Sequence, residues 1–94
     1  MEYFFVYILK CNDNSYYVGQ TDDLEKRIAE HQSGKFKGYT AKKLPVKLVF
    51  SDFFYSREQA FAVEHQIKKW SRKKKEALIN GDFALLSLYA KKIF

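Results

Sequence analysis

A chain of 94 residues has room for one domain around one modest core. With 47% hydrophobic and 18% aromatic residues it carries enough apolar surface to fold unaided, which excludes global disorder, and its single cysteine, Cys11, excludes an internal disulfide. The net charge of +6 favours a polyanionic partner.

In chain order, Tyr3 to Lys10 is rich in aromatic and β-branched residues, the composition of a buried strand. The chain starts acidic, reaches Lys10 before a signal-peptide core develops, and its apolar stretch is far too short to span a bilayer. With a lone thiol, which suits a reducing compartment, the expectation is a cytoplasmic protein with no membrane partner. Cys11 to Ser15 is a turn cluster, and Tyr16 to Gln20 returns as the second strand of an antiparallel hairpin. If the five turn residues form the loop, facing positions have equal parity, so Tyr7 and Tyr17 share a sheet face beside Gly19. A missing side chain there leaves room for a substrate backbone or a closely packed helix. Two phenols on one face are equally well two good strand residues that coincide.

Asp22 with Glu25 three residues later predicts a capping box that opens a helix through Gln32, ended by Ser33-Gly34. Arg27 and His31, one turn apart, flank the apolar stripe of Leu24 and Ile28 and so sit at the edge of its buried face. A guanidinium is shaped for bidentate phosphate contact and an imidazole can shuttle protons near neutrality, but an ordinary solvated rim reads the same way. A basic, glycine-containing segment follows to Pro45, and Val46 to Tyr55 is a third strand. Ser56 and Gln59 form a second capping pair before a helix to about Trp70; Ser71 caps a short helix through Ile79, with Gly81 placed to stop it. Phe83, Leu85, Leu86, Leu88 and Tyr89 suggest a last amphipathic turn or two over the core. The expected fold class is α+β, a small three-stranded antiparallel sheet flanked by helices in the order β-β-α-β-α-α, as one domain over residues 1–94.

Glu64 is the most informative residue. Its neighbours on a helical wheel are Ala60, Phe61, Val63 and Ile67, an apolar arc on which a carboxylate is costly unless a cation or donor satisfies it. An ion pair with Arg27 and a divalent metal are both open at this point. Cys11, His31 and His65 lack the ligand spacing of a zinc site. Basic residues cluster at Lys35, Lys37, Lys42, Lys43 and Lys47, and again at Lys68, Lys69, Arg72 and Lys73 within the run to Lys75. Such runs are usually solvated faces, and they read as phosphate contacts only beside a catalytic constellation.

Phe5-Val6-Tyr7 followed ten residues on by Tyr17-Val18-Gly19 resembles the two-part motif of the GIY-YIG nucleases. Arg27 and His31 stand where that family has an arginine and then a histidine or tyrosine one turn later, and Glu64 matches its single glutamate on a later helix. The resemblance covers Tyr3 to Ile79 and is nearest to small stand-alone bacterial members, which resemble the N-terminal nuclease domain of the excision-repair incision subunit. Phe5 replaces the first glycine, valine replaces both isoleucines, and Gln20 stands where some members have lysine.

The resemblance implies a structure-selective or non-specific DNA endonuclease, serving repair or recombination, that hydrolyses a phosphodiester with one divalent metal, Mg²⁺ or Mn²⁺, held by Glu64. Tyr17 is then the candidate general base with Tyr7 orienting it or water, His31 the alternative base, and Arg27 the phosphate ligand. Gly19 is the structural residue of the motif. Lys35, Lys37, Lys42, Lys43, Lys68, Lys69, Arg72 and Lys73 would hold flanking backbone without reading sequence. DNA is the expected partner, with RNA left open, and a monomer or weak homodimer the expected state. The alternative is a nucleic-acid-binding module that keeps the fold with little or no catalysis.

Overall fold

The computed structural model describes residues 3–35 and 38–82. The amphipathic turns expected from Phe83 to Tyr89, and Lys37, lie outside the described residues. The first strand, β1, spans Phe4–Lys10 and pairs antiparallel with both β2 (Tyr16–Thr21) and β3 (Lys47–Phe54), giving a sheet of order β2-β1-β3. A strand in that central place is covered on both faces and needs apolar side chains at successive rather than alternate positions. Val6, Tyr7, Ile8 and Leu9 accordingly are all fully buried. Three helices complete the order β-β-α-β-α-α: α1 (Leu24–Gln32), α2 (Arg57–Lys68) and α3 (Arg72–Ile79). None of the described helices is long and apolar enough to cross a membrane.

The alternation of β1 divides the apolar side chains into two cores. Val6 and Ile8 join Val18, Phe54, Ala60, Val63, Ile67 and Leu78, so one face packs on α2 and α3. Tyr7 and Leu9 join Cys11 and Val46, with Tyr17, Leu24, Ile28 and Leu44 against them, so the other face packs under α1 and the segment before β3. Burying each aliphatic side chain of this kind contributes roughly 1.5–3 kcal/mol. A bulge in β3 adjusts it to this two-sided arrangement: Ile8 faces Phe50 while Leu9 faces Leu48, and Val49 has no partner on β1.

Local signals account for most boundaries. Lys10 faces Tyr16, so the hairpin loop is the five residues from Cys11 to Ser15, with Asn14 at φ 68° and the Asp13 carboxylate accepting from the Ser15 amide at 3.0 Å. The Ser56 and Ser71 hydroxyls cap α2 and α3 by accepting from the amides of Gln59 and Lys74. Gly34 and Gly81, at φ 75° and 74°, follow the ends of α1 and α3.

Four expectations need correction. The cap of α1 is Asp23, whose side chain accepts from the Lys26 amide, and its own amide donates to Thr21 Oγ1; Asp22 instead faces Arg57 at 3.5 Å. Val46 precedes β3: its side chain is buried in the α1-side core and its carbonyl accepts from Gln32 Nε2. The helix α2 ends at Lys68 rather than near Trp70. Phe61 is not on the buried arc, because the spacing that faces the sheet runs through Ala60, Val63, Glu64 and Ile67; its ring is 50% exposed and lies 4.1 Å from that of His65.

Candidate active site

The hairpin register sets Tyr7 opposite Gly19 and Leu9 opposite Tyr17, which places both phenols on the α1 side of the sheet with ring centroids 6.2 Å apart. Tyr7 lies down across Gly19. A Cβ at position 19 would come within 2.5 Å of Tyr7 Oη and 2.6 Å of its Cζ, so glycine here is required by the ring above it.

The helix α1 lowers His31 onto this pair. The sequence puts His31 at the edge of the buried face, but it is fully buried, because Tyr7 and Thr40 satisfy both ring nitrogens. Tyr7 Oη lies 2.9 Å from Nε2 and Thr40 Oγ1 lies 2.7 Å from Nδ1. A neutral imidazole carries one hydrogen, so it donates in one of these bonds and accepts in the other. Thr40, itself fully buried, had no signal in the sequence: it sits in a segment without periodicity, nine residues from its partner. Arg27, one turn before His31, is partly exposed and donates from Nε to Glu30 Oε1 at 3.2 Å, while its charge also acts on the Tyr7 phenol.

These neighbours set the protonation states. Burial pushes the Tyr7 phenol well above its usual value, helped by the adjacent Tyr17 and opposed by Arg27. Burial and then the Glu64 charge raise Tyr17, against Arg27 and a hydrogen bond with Tyr7. Burial lowers His31, and Arg27 lowers it further. At neutral pH both phenols are protonated and the imidazole is neutral.

This depression of His31 has a stability consequence. The unfolded chain binds a proton near pH 6.5 and the folded site binds it only at lower pH. The contribution is therefore complete above about pH 6.5 and is lost as pH falls through the folded value. Melting temperature is expected to drop on acidification below about pH 6.5. His31→Gln should flatten that limb; a limb unchanged by the substitution would place the acid sensitivity elsewhere.

Glu64 enters from the other layer. It stands on α2, whose apolar residues pack on the opposite sheet face, yet its charge acts on both Tyr7 and Tyr17. Its carboxylate is buried at 8% exposure and is not turned out into solvent. Two neighbours that the sequence did not suggest meet the carboxylate: Oε2 lies 3.3 Å from Lys68 Nζ and Oε1 accepts from Gln20 Nε2 at 3.4 Å. Among the described residues no cluster of three or more His, Cys, Asp or Glu could hold a metal by itself. A lone carboxylate suits a cation that completes its shell with water and substrate oxygens, as Mg²⁺ does, and does not suit structural zinc.

The expected backbone-binding residues divide into two groups. Lys35, Lys42, Lys69 and Lys73 are exposed. Lys43 and Arg72 are tied into the surface: Lys43 meets Asp13 at 2.9 Å, while Arg72 meets Glu76 at 3.4 Å and donates to the Asn14 carbonyl at 2.6 Å. Arg72 also lies over the Tyr16 ring, 4.5 Å from its centroid.

Comparisons with known proteins agree with this geometry. The family model described as the GIY-YIG catalytic domain matches residues 3–77. A UPF0213 protein of Streptococcus pneumoniae is 42% identical over 87 residues, covering 90% of this chain and 88% of that one. The UPF0213 protein YazA of Bacillus subtilis is 45% identical over 75 residues, covering 80% and 76%. Solution structures of a UPF0213 protein from Bacillus halodurans (44% identity, TM-score 0.56, 83% of each chain) and of a protein from E. faecalis (34% identity, TM-score 0.60, 89% of this chain and 93% of that one) share the fold.

Proposed function

The chain belongs to the GIY-YIG family, and from that premise we propose that it is a metal-dependent endonuclease that hydrolyses phosphodiester bonds in DNA. The single observation that carries this reading is the buried Glu64 carboxylate, brought from the far layer to within electrostatic reach of two phenols that Arg27 also faces. A carboxylate buried beside two phenols adds an unfavourable desolvation to the fold, and it is intelligible as the place where a cation binds.

In this reading Glu64 is the ligand for a divalent cation such as Mg²⁺ or Mn²⁺, with water and phosphate oxygens supplying the rest of the shell. Bound there, the cation would stabilise charge on the phosphate and leaving oxygen and would offset the Glu64 charge, which adds to burial in raising the two phenols. Arg27 binds the scissile phosphate. Tyr17 takes the proton of the attacking water, and in this proposal Tyr17 and His31, the two candidate bases, act as parts of one chain. Tyr17 releases its own proton toward Tyr7, Tyr7 passes one on to His31 Nε2 across 2.9 Å, and Thr40 fixes the far side of the ring at Nδ1. For His31 to accept at Nε2 its hydrogen must sit on Nδ1 toward Thr40; burial and Arg27 keep the ring neutral at rest and make it a weak acceptor, so it holds the proton only in passing. The exposed lysines hold flanking backbone without reading sequence.

The test is cleavage of branched, flapped, single-stranded and plain duplex DNA with Mg²⁺ or Mn²⁺. Tyr17→Phe should abolish cutting and leave DNA affinity intact, and Arg27→Ala should slow it by roughly 10²–10³, by analogy with a lost oxyanion donor. Full activity in both variants would place the chemistry elsewhere. A second reading, a binding module without catalysis, is favoured by one observation: Lys68 already occupies Glu64 as its cation at 3.3 Å. It predicts salt-dependent binding with no metal-dependent cutting.

A further inference from the structure

Tyr39 is 47% exposed although the residue after it, Thr40, is fully buried. Its ring stacks beside that of Tyr17, 26° from parallel with centroids 6.2 Å apart. The two rings border a groove of about 350 Å³ lined by Tyr16, Tyr17, Val18, Tyr39, Lys68 and Lys75. Lys43 lies over the Tyr39 ring, 3.8 Å from its centroid and anchored by Asp13 at 2.9 Å, which adds a cation beside the groove. At the other end Lys68 reaches Glu64. Aromatic faces with cations along one groove are what a nucleic-acid strand with free bases requires: the rings take bases of any identity and the ammonium groups take phosphates.

We propose that the Tyr17–Tyr39 groove is a stacking subsite for an unpaired base, which makes nucleic acid with unpaired nucleotides the substrate class of the site described above. The link to cleavage rests on the nuclease reading; the subsite itself does not. A base within a duplex has both faces occupied by its neighbours and cannot offer one to Tyr39. An unpaired base held there sets its strand along Lys68, toward Glu64 and the two phenols.

Binding is measured by fluorescence anisotropy on metal-free protein, with three probes of equal length: a single-stranded thymidine oligonucleotide, an abasic single strand and a blunt duplex. Tyr39→Ala should weaken the thymidine strand about tenfold, as expected for losing one base–aromatic stack, and leave the abasic strand and the duplex within about twofold. Tyr39→Phe should restore the loss, and circular dichroism checks that the exposed substitution leaves the fold intact. Equal losses on the base-bearing and abasic strands, or no loss on any probe, overturn the subsite. A protein that shows the base-dependent loss yet cuts nothing would refute the nuclease reading alone; one that cuts while ignoring Tyr39→Ala would refute the subsite alone.

Discussion

Glu64→Gln is expected to eliminate cleavage while the protein stays folded and binds DNA nearly as before. Removing a divalent cation from a phosphate site forfeits several kcal/mol of transition-state stabilisation, and roughly 4 kcal/mol corresponds to about 10³ in rate. Stability should move the other way or not at all. The carboxylate is 8% exposed, its Gln20 bond is long at 3.4 Å, and its Lys68 partner has a side chain that is half exposed. Glutamine keeps the shape and one acceptor, relieves the desolvation of a charge, and leaves Lys68 free to reach water. Melting should change by no more than the equivalent of about 1 kcal/mol, because the half-exposed Lys68 limits what the pair contributes and a neutral amide costs less to bury than a carboxylate. A variant that cuts within a few-fold of the parent would remove Glu64 from the chemistry. A variant that melts many degrees lower would make it a structural ion pair.

Gly19→Ala is expected to overpack the site and lower stability. The new Cβ would meet Tyr7 Oη at 2.5 Å, Tyr7 Cζ at 2.6 Å and Tyr17 Cε1 at 3.0 Å. Tyr7 cannot easily retreat: it is fully buried and its hydroxyl is tied to His31. Overpacking of this kind costs about 1–3 kcal/mol, and at about 4–8 °C per kcal/mol for a domain of this size the melting point should fall by at least several degrees. Cleavage should fall as well, since the displaced phenol leaves His31. Adding Tyr7→Phe removes the closest contact but not the one to Cζ, so stability should return only in part and activity should not. Normal melting of Gly19→Ala would mean that the ring has room the packing does not indicate.

Much of this site was legible in the sequence because its parts obey short-range rules. Parity across a five-residue loop puts Tyr7 and Tyr17 on one face, helical spacing puts Arg27 beside His31, and the same spacing sets Glu64 among Ala60, Val63 and Ile67. The misses all involve competition that local pattern does not resolve. Asp22 and Asp23 are equally good caps, and the choice falls to Asp23 once Thr21 holds its amide. His31 is buried because Tyr7, 24 residues away, and Thr40, nine away, satisfy it, and neither bond leaves a periodic trace. Tyr39 was invisible for the same reason: its stack on Tyr17 joins residues 22 apart in an aperiodic segment. The acidic partner of Lys68 was hidden more simply, since a charge on an apolar arc suggests a distant cation before its neighbour one turn along.

The phenols belong to the layer under α1 and the carboxylate to the layer under α2, with the sheet between. If the nuclease reading holds, a chain collapsed on only one side of β1 would carry half of the apparatus. On that reading, cutting would require both layers to be docked on the sheet at once.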